Sequence, residues 1–198
     1  APPGGGSYGN MACGWWGVGG RSHEEFSSDL QARAQVGDGG RRTDNSLWMA
    51  AHAEGHKPPD WFADADWEVV LGNARLGAAL ARDAGFKGIL FDAEGYGGGT
   101  YGVWRQPWDY PLYASTDYRI AGETQPRAFA EVAAQVRRRG RQWAQTLTDV
   151  YPEIVLFVIP GLYEVTWTRS LWLDKPPEDT DCGLWAPFVD GILEGLGP

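Results

Sequence analysis

Asp92 and Glu94 stand one residue apart at the mouth of an apolar run, in "KGILFDAEGYGGGTYGVWRQPWDY" from Lys87 to Tyr110. On an extended chain they share parity, so both carboxyls leave one face with Cα atoms about 6.5–7 Å apart. A protonated acid beside a carboxylate is what glycosidic-bond cleavage requires: one donates a proton, the other attacks or stabilises. The plainer role for such a pair is to cap the following loop or to bind Arg105. Glu164 follows the next apolar run at the matching end, which makes it the third candidate acid beside Tyr163.

A second polar cluster is "HAEGH", His52 to His56. His52, Glu54 and His56 share parity, and a metal site would have to complete itself with carboxylates such as Asp92. With no H-E-x-x-H spacing, His52 and Glu54 are expected to line a pocket by hydrogen bonding, and no metal or cofactor is expected. The glycines after Tyr96 do not lead into a helix carrying Lys-Ser/Thr, so a phosphate loop is excluded.

These residues need a scaffold, and the hydrophobic pattern supplies one. "SLWMAAHAE" reads as a strand between turn signals. A helix follows, with Asp64 or Asp66 as N-cap, a stripe of Trp67, Val70, Leu71, Ala74, Leu76, Ala78 and Leu80, and Gly85 as its stop. "KGILFDAE" reads as a strand covered on both faces. A loop over 95–125 precedes a helix to Val150 bearing Phe129, Val132, Val136, Trp143 and Leu147 on one side. Ile154 to Pro160 gives another buried strand, and "GLWAPFVDGILEGLGP" a last helix.

Strand and helix alternating in this way predict an α/β fold, a TIM-barrel-like parallel βα repeat in a single domain over 1–198. Helix-to-strand joins are short, whereas strand-to-helix joins are long and carry the unusual residues, as in folds whose active site lies beyond the strand C-termini. Three clear units are fewer than the eight of a barrel, so a partial or truncated barrel is expected. Its open sheet edges would then be covered by further strands or by homo-oligomer formation.

Composition narrows the ligand. The net charge of -9 argues against nucleic acid. The basic run Arg137-Arg138-Arg139-Gly140-Arg141 is read as a solvated helix face. No apolar run is long enough to cross a bilayer, so no membrane partner is expected. Cys13 and Cys182 suit one bridge or two thiols equally. The chain starts "APPGGGSYGN" without Met, as a processed chain would, and shows no signal peptide; a secreted or periplasmic setting is favoured. Eleven tryptophans, many in acid- and glycine-rich segments, suit a carbohydrate ligand. Trp61, Trp104, Trp108 and Tyr110 are the candidate sugar platforms.

The strand "GILFDAEGY" resembles the D-x-E strand of chitinase-type glycoside hydrolases over about ten residues. That resemblance implies Glu94 as proton donor, Asp92 as the carboxylate that supports it and orients the substrate, and Tyr96 near the reacting sugar. The family's further Asp, two positions before the pair, is Leu90 here, so N-acetylated sugars and a substrate-assisted mechanism are not implied. The longer stretch "WFADADWEVVLGNARLGAALARDAGFKGILFDAEGYG" also resembles uncharacterised bacterial barrel proteins. The expectation is a glycoside hydrolase acting on a polysaccharide or oligosaccharide. Two alternatives are a non-catalytic carbohydrate-binding module on a barrel scaffold and a metal-dependent hydrolase using His52, Glu54 and Asp92.

Overall fold

The computed structural model describes residues 15–16, 20–26, 45–51, 59–94, 107–114, 125–159 and 170–197. Among them, β1 (Ser46–Ala50), β2 (Gly88–Asp92) and β3 (Val155–Ile159) form one parallel sheet in the order β1-β2-β3. Helices α1 (Asp64–Asp83), the short α2 (Tyr110–Tyr113), α3 (Phe129–Val150) and α4 (Trp185–Leu196) accompany it. The expected alternation of strand and helix is therefore present, as a mixed α/β fold whose three strands do not close on themselves. None of its described helices is long and apolar enough to cross a membrane.

Strand parity divides the sheet into two unlike faces. Leu47, Met49, Ile89 and Phe91 are buried, and Leu156 and Val158 pack against the same core. The helices lie on that side: α1 contacts β1 and β2, and the Phe91 ring meets Trp143 of α3 at 4.7 Å. The opposite face carries Trp48, Leu90, Val155 and Phe157, with Trp48 43 % and Phe157 58 % exposed. The sequence reading of β3 as a buried strand is thus corrected, because Val155 and Phe157 on that side are 44 % and 58 % exposed.

α1 ends as its sequence dictates. Gly85 takes φ +67°, the Phe86 amide donates to the Ala81 carbonyl at 2.8 Å, and the Gly85 amide donates to Arg82 at 3.0 Å. This paired pattern with a buried residue after the glycine is the Schellman stop. Its start differs from expectation. Ala63 is the N-cap, and Asp64 and Asp66 lie in the first turn, where negative charge suits the helix dipole. The Asp66 carboxylate instead accepts the Asp60 amide at 2.9 Å.

The basic run is not a solvated face throughout. Arg139 is buried; its Nε donates to the Trp61 carbonyl at 3.0 Å and its Nη2 meets Asp64 at 2.5 Å. Gln135 donates to the same Trp61 carbonyl at 2.7 Å. Arg137 and Arg141 both pair with Glu194 of α4. Between these pairs, α3 and α4 approach closely through glycine. A Cβ on Gly191 would lie 2.0 Å from the Arg137 carbonyl, and one on Gly140 would lie 2.3 Å from that of Phe188.

Gly191→Ala should destabilise the protein by about 1–3 kcal/mol, since the helices must separate. Gly72→Ala in α1, where nothing lies within 4 Å of the new Cβ, should be neutral or stabilising by roughly 0.5–1 kcal/mol; urea unfolding of both variants checks the contrast. Hydrogen bonds from Arg137 and then Arg141 hold the Glu194 carboxyl below the ordinary carboxylate value of 4.5. A depressed folded pKa contributes stability that is present above the unfolded value and lost as pH falls through the folded one. Glu194→Gln should therefore differ from wild type above pH 4.5 and converge with it in more acid solution. Unfolding curves against pH test this, and about 1 M salt should shrink the difference.

Candidate functional site

The acids meet at the C-terminal end of β2, the middle strand. Asp92 is its last residue and is 3 % exposed. It shares a face of the sheet with Leu90 and, one strand over, Trp48. One carboxylate oxygen, Oδ2, accepts the Trp48 indole N–H at 3.2 Å. The other, Oδ1, accepts the backbone amide of Glu94 at 3.0 Å. A short acceptor reaching two residues along the chain is the turn geometry that Asp favours. The capping role considered for this pair is thus observed, and it sets the direction in which the chain leaves the strand.

Ala93 between the acids is clamped from two further sides. Its amide donates to the Ile159 carbonyl of β3 at 2.7 Å. Its carbonyl accepts the Trp108 indole N–H at 2.9 Å. Glu94 follows, half-buried, on a backbone held at three consecutive residues. Both oxygens of Asp92 are engaged as acceptors, so its side chain fixes this turn. The chemistry available is a carboxylate, Glu94, presented on a rigid strand end beside a second carboxylate already engaged in positioning it.

Trp61 and Trp108, expected as sugar platforms, are 1 % and 2 % exposed and belong to the core. Their rings pack on each other at 5.9 Å; Trp61 also stacks on Trp67 at 5.2 Å, and Trp108 meets Trp185 at 4.8 Å. A stacking platform needs an open ring face, and neither residue offers one. Tyr110 is half-buried, donating to the Arg127 carbonyl at 2.7 Å. His52, Glu54, Tyr96, Trp104, Tyr163 and Glu164 lie outside the described residues, as do Cys13 and Arg105. Among the described residues, no three His, Cys, Asp or Glu side chains gather to hold a metal ion.

The residue that sequence reasoning overlooked is Trp48. Alternation in the strand "SLWMA" alone sets Trp48 opposite Leu47 and Met49. What sequence did not provide was the register, which pairs Trp48 with Leu90 and Ala50 with Asp92. Comparison with protein-family models, with curated proteins and with solved structures brings up no match.

Replacing Asp92 tests the positioning role. Asp92→Leu leaves the Glu94 amide and the Trp48 indole without this acceptor and should cost about 1–3 kcal/mol. Asp92→Asn keeps an oxygen acceptor and should cost less. Equal losses in the two variants, measured by denaturant unfolding, would remove the hydrogen bonds from the account.

Proposed function

We propose that the protein is a glycoside hydrolase acting on a polysaccharide or oligosaccharide, with Glu94 as general acid. The observation that carries this reading is the Asp92–Glu94 turn at the C-terminal end of a central parallel strand. Catalytic groups in βα folds are borne at that end of the sheet. Sequential strand order with intervening helices on one face supports the finer architecture too, a section of TIM-barrel-like wall.

In this mechanism Glu94 donates its proton to the glycosidic oxygen as the bond to the anomeric carbon breaks. The same residue then accepts a proton from water if the enzyme retains configuration. Asp92, bonded to Trp48 and to the Glu94 amide, is better placed to orient than to attack. Glu164, which follows β3 in sequence, is the proposed nucleophile or base. A separation near 5–5.5 Å between the two working carboxyls gives retention, and about 6.5–9.5 Å gives inversion. His52, Glu54, Tyr96, Trp104 and Tyr163 are proposed to line the sugar site.

A second reading, a non-catalytic carbohydrate-binding module, draws on one observation: the Asp92 contacts are those of a structural carboxylate. Reducing-sugar release from soluble α- and β-glucans, xylan and chitosan separates the two. Hydrolysis predicts release by the wild type that falls about 10²–10⁴-fold in Glu94→Gln, with no loss on adding a chelator. Release that is unchanged in Glu94→Gln would remove Glu94 from catalysis. Absence of release with sugar binding intact would establish the binding module, and loss of release on chelation would restore the metal-dependent alternative.

A further inference from the structure

One peptide group joins Ala93 to Glu94, and both of its polar ends are taken. Its carbonyl, on Ala93, accepts the Trp108 indole N–H at 2.9 Å. Its N–H, on Glu94, donates to Oδ1 of Asp92 at 3.0 Å. The other oxygen of that carboxyl, Oδ2, accepts the Trp48 indole N–H at 3.2 Å. A single relay of hydrogen bonds thus runs from one indole to another through the Glu94 turn. Trp108 grips the peptide directly, and Trp48 grips it through Asp92.

The Trp48 end matters because an Asp carboxyl has a soft torsion. It turns broadly about χ2, so one hydrogen bond alone leaves its two oxygens free to trade places. A second donor on the second oxygen removes that freedom. The strand register suits a tryptophan to this task. Trp48 pairs with Leu90 and Ala50 pairs with Asp92, so Trp48 and Asp92 are diagonal neighbours on one face. Adjacent strands lie about 4.8 Å apart and two residues advance about 6.6 Å, which separates their Cα atoms by roughly 8 Å. A donor spanning that gap must sit far out on a long side chain, as the indole N–H does. Trp48 is 43 % exposed whereas Trp108 is 2 % exposed, so the donor at 48 is removable with less disturbance to the core.

From this relay we infer that Trp48 is a positioning residue for Glu94, acting through Asp92. It holds the Asp92 carboxyl in the orientation that pins the Ala93–Glu94 peptide, so that Glu94 leaves the strand in one direction. The consequence for turnover rests on the reading of Glu94 as general acid, whereas the coupling itself does not. An acid misplaced by about 1 Å loses about 10²-fold in rate, so an indole that never meets the substrate still bears on the reaction.

The test reads the coupling and the turnover separately, on the full chain. Amide exchange at Glu94 is followed by NMR in wild type, Trp48→Phe, Asp92→Ala and the double variant, with the Ile89 and Phe91 amides of β2 as reference. Trp48→Phe keeps a ring and loses the donor. It should speed Glu94 exchange about tenfold, which is about 1.4 kcal/mol and the order of one hydrogen bond, and speed the reference amides less. Asp92→Ala should speed Glu94 exchange at least as much, and adding Trp48→Phe to it should change Glu94 no further. In reducing-sugar release, Trp48→Phe should lower kcat about 10–10²-fold with KM held within about twofold, since the acid is displaced and substrate contacts are kept.

Equal Glu94 exchange in wild type and Trp48→Phe overturns the positioning role. So does a wild-type Trp48 indole N–H that exchanges as fast as free indole, a measurement that needs no variant to fold. Additive effects of Trp48→Phe and Asp92→Ala on Glu94 exchange remove the route through Asp92. A rise in KM alone makes Trp48 a substrate contact and sinks the positioning role, leaving the hydrolase reading in place. Coupled exchange at Glu94 without any sugar release supports the relay and sinks the hydrolase reading alone.

Discussion

The molecule is organised around one ring. Trp16, from the segment ahead of β1, lies within 5.3–6.2 Å of Trp67, Phe91, Trp108, Trp143 and Phe188. Those partners come from α1, β2, the segment before α2, α3 and α4, so a single indole touches nearly every layer. Edge-on and tilted contacts dominate, as expected where ring edges and faces differ in charge. Fully burying a large side chain contributes about 1.5–3 kcal/mol, and here the burial is shared by many rings at once. The Trp15 carbonyl accepts from Asn73, and the Arg21 amide donates to the same side chain, anchoring the segment to α1. The strand end that carries Asp92 and Glu94 is located by this cluster, because Trp108 reaches from it to the Ala93 carbonyl.

Around the aromatic centre, buried polar groups fix what rings alone leave adjustable. Arg139 and Gln135 of α3 converge on one carbonyl, that of Trp61. Asp60 accepts from the Phe62 amide at 2.9 Å and from the Tyr113 hydroxyl at 3.2 Å. A buried polar group left without a partner costs more than a satisfied one gains, so these contacts specify one arrangement of the segment entering α1. The close passage of α3 against α4 acts in the same sense. Only glycine at 140 and 191 permits that backbone approach, and the Glu194 pairs then register the two helices along it.

These constraints leave the sheet asymmetric. The side with Ile89 and Phe91 is consumed by packing and has no surface to offer a ligand. On the other side Trp48 and Phe157 are exposed, Leu90 is half-buried and Asp92 is buried. Tryptophan abundance therefore answers to two demands. Most described indoles fill the core, while Trp48 and Trp172 are exposed.

By itself, the sequence determined the elements and their kind. Period-2 and period-3.6 patterns placed β1, β2, β3, α1, α3 and α4 nearly where they stand, and Gly85 marked the α1 stop, because backbone sterics and local hydrogen bonds are short-range in sequence. It also marked Asp92 and Glu94 as the acids at a strand end. Tertiary structure decided which face of each strand is covered, because that depends on which distant helices pack there. It sent Trp61 and Trp108 into the core, although their acid-, glycine- and proline-rich surroundings read as loops. It turned Arg139 inward, since its partners, the Trp61 carbonyl and Asp64, are brought near only by the fold. And it joined Trp48 to Asp92, 44 residues apart, through a strand register that no local pattern encodes.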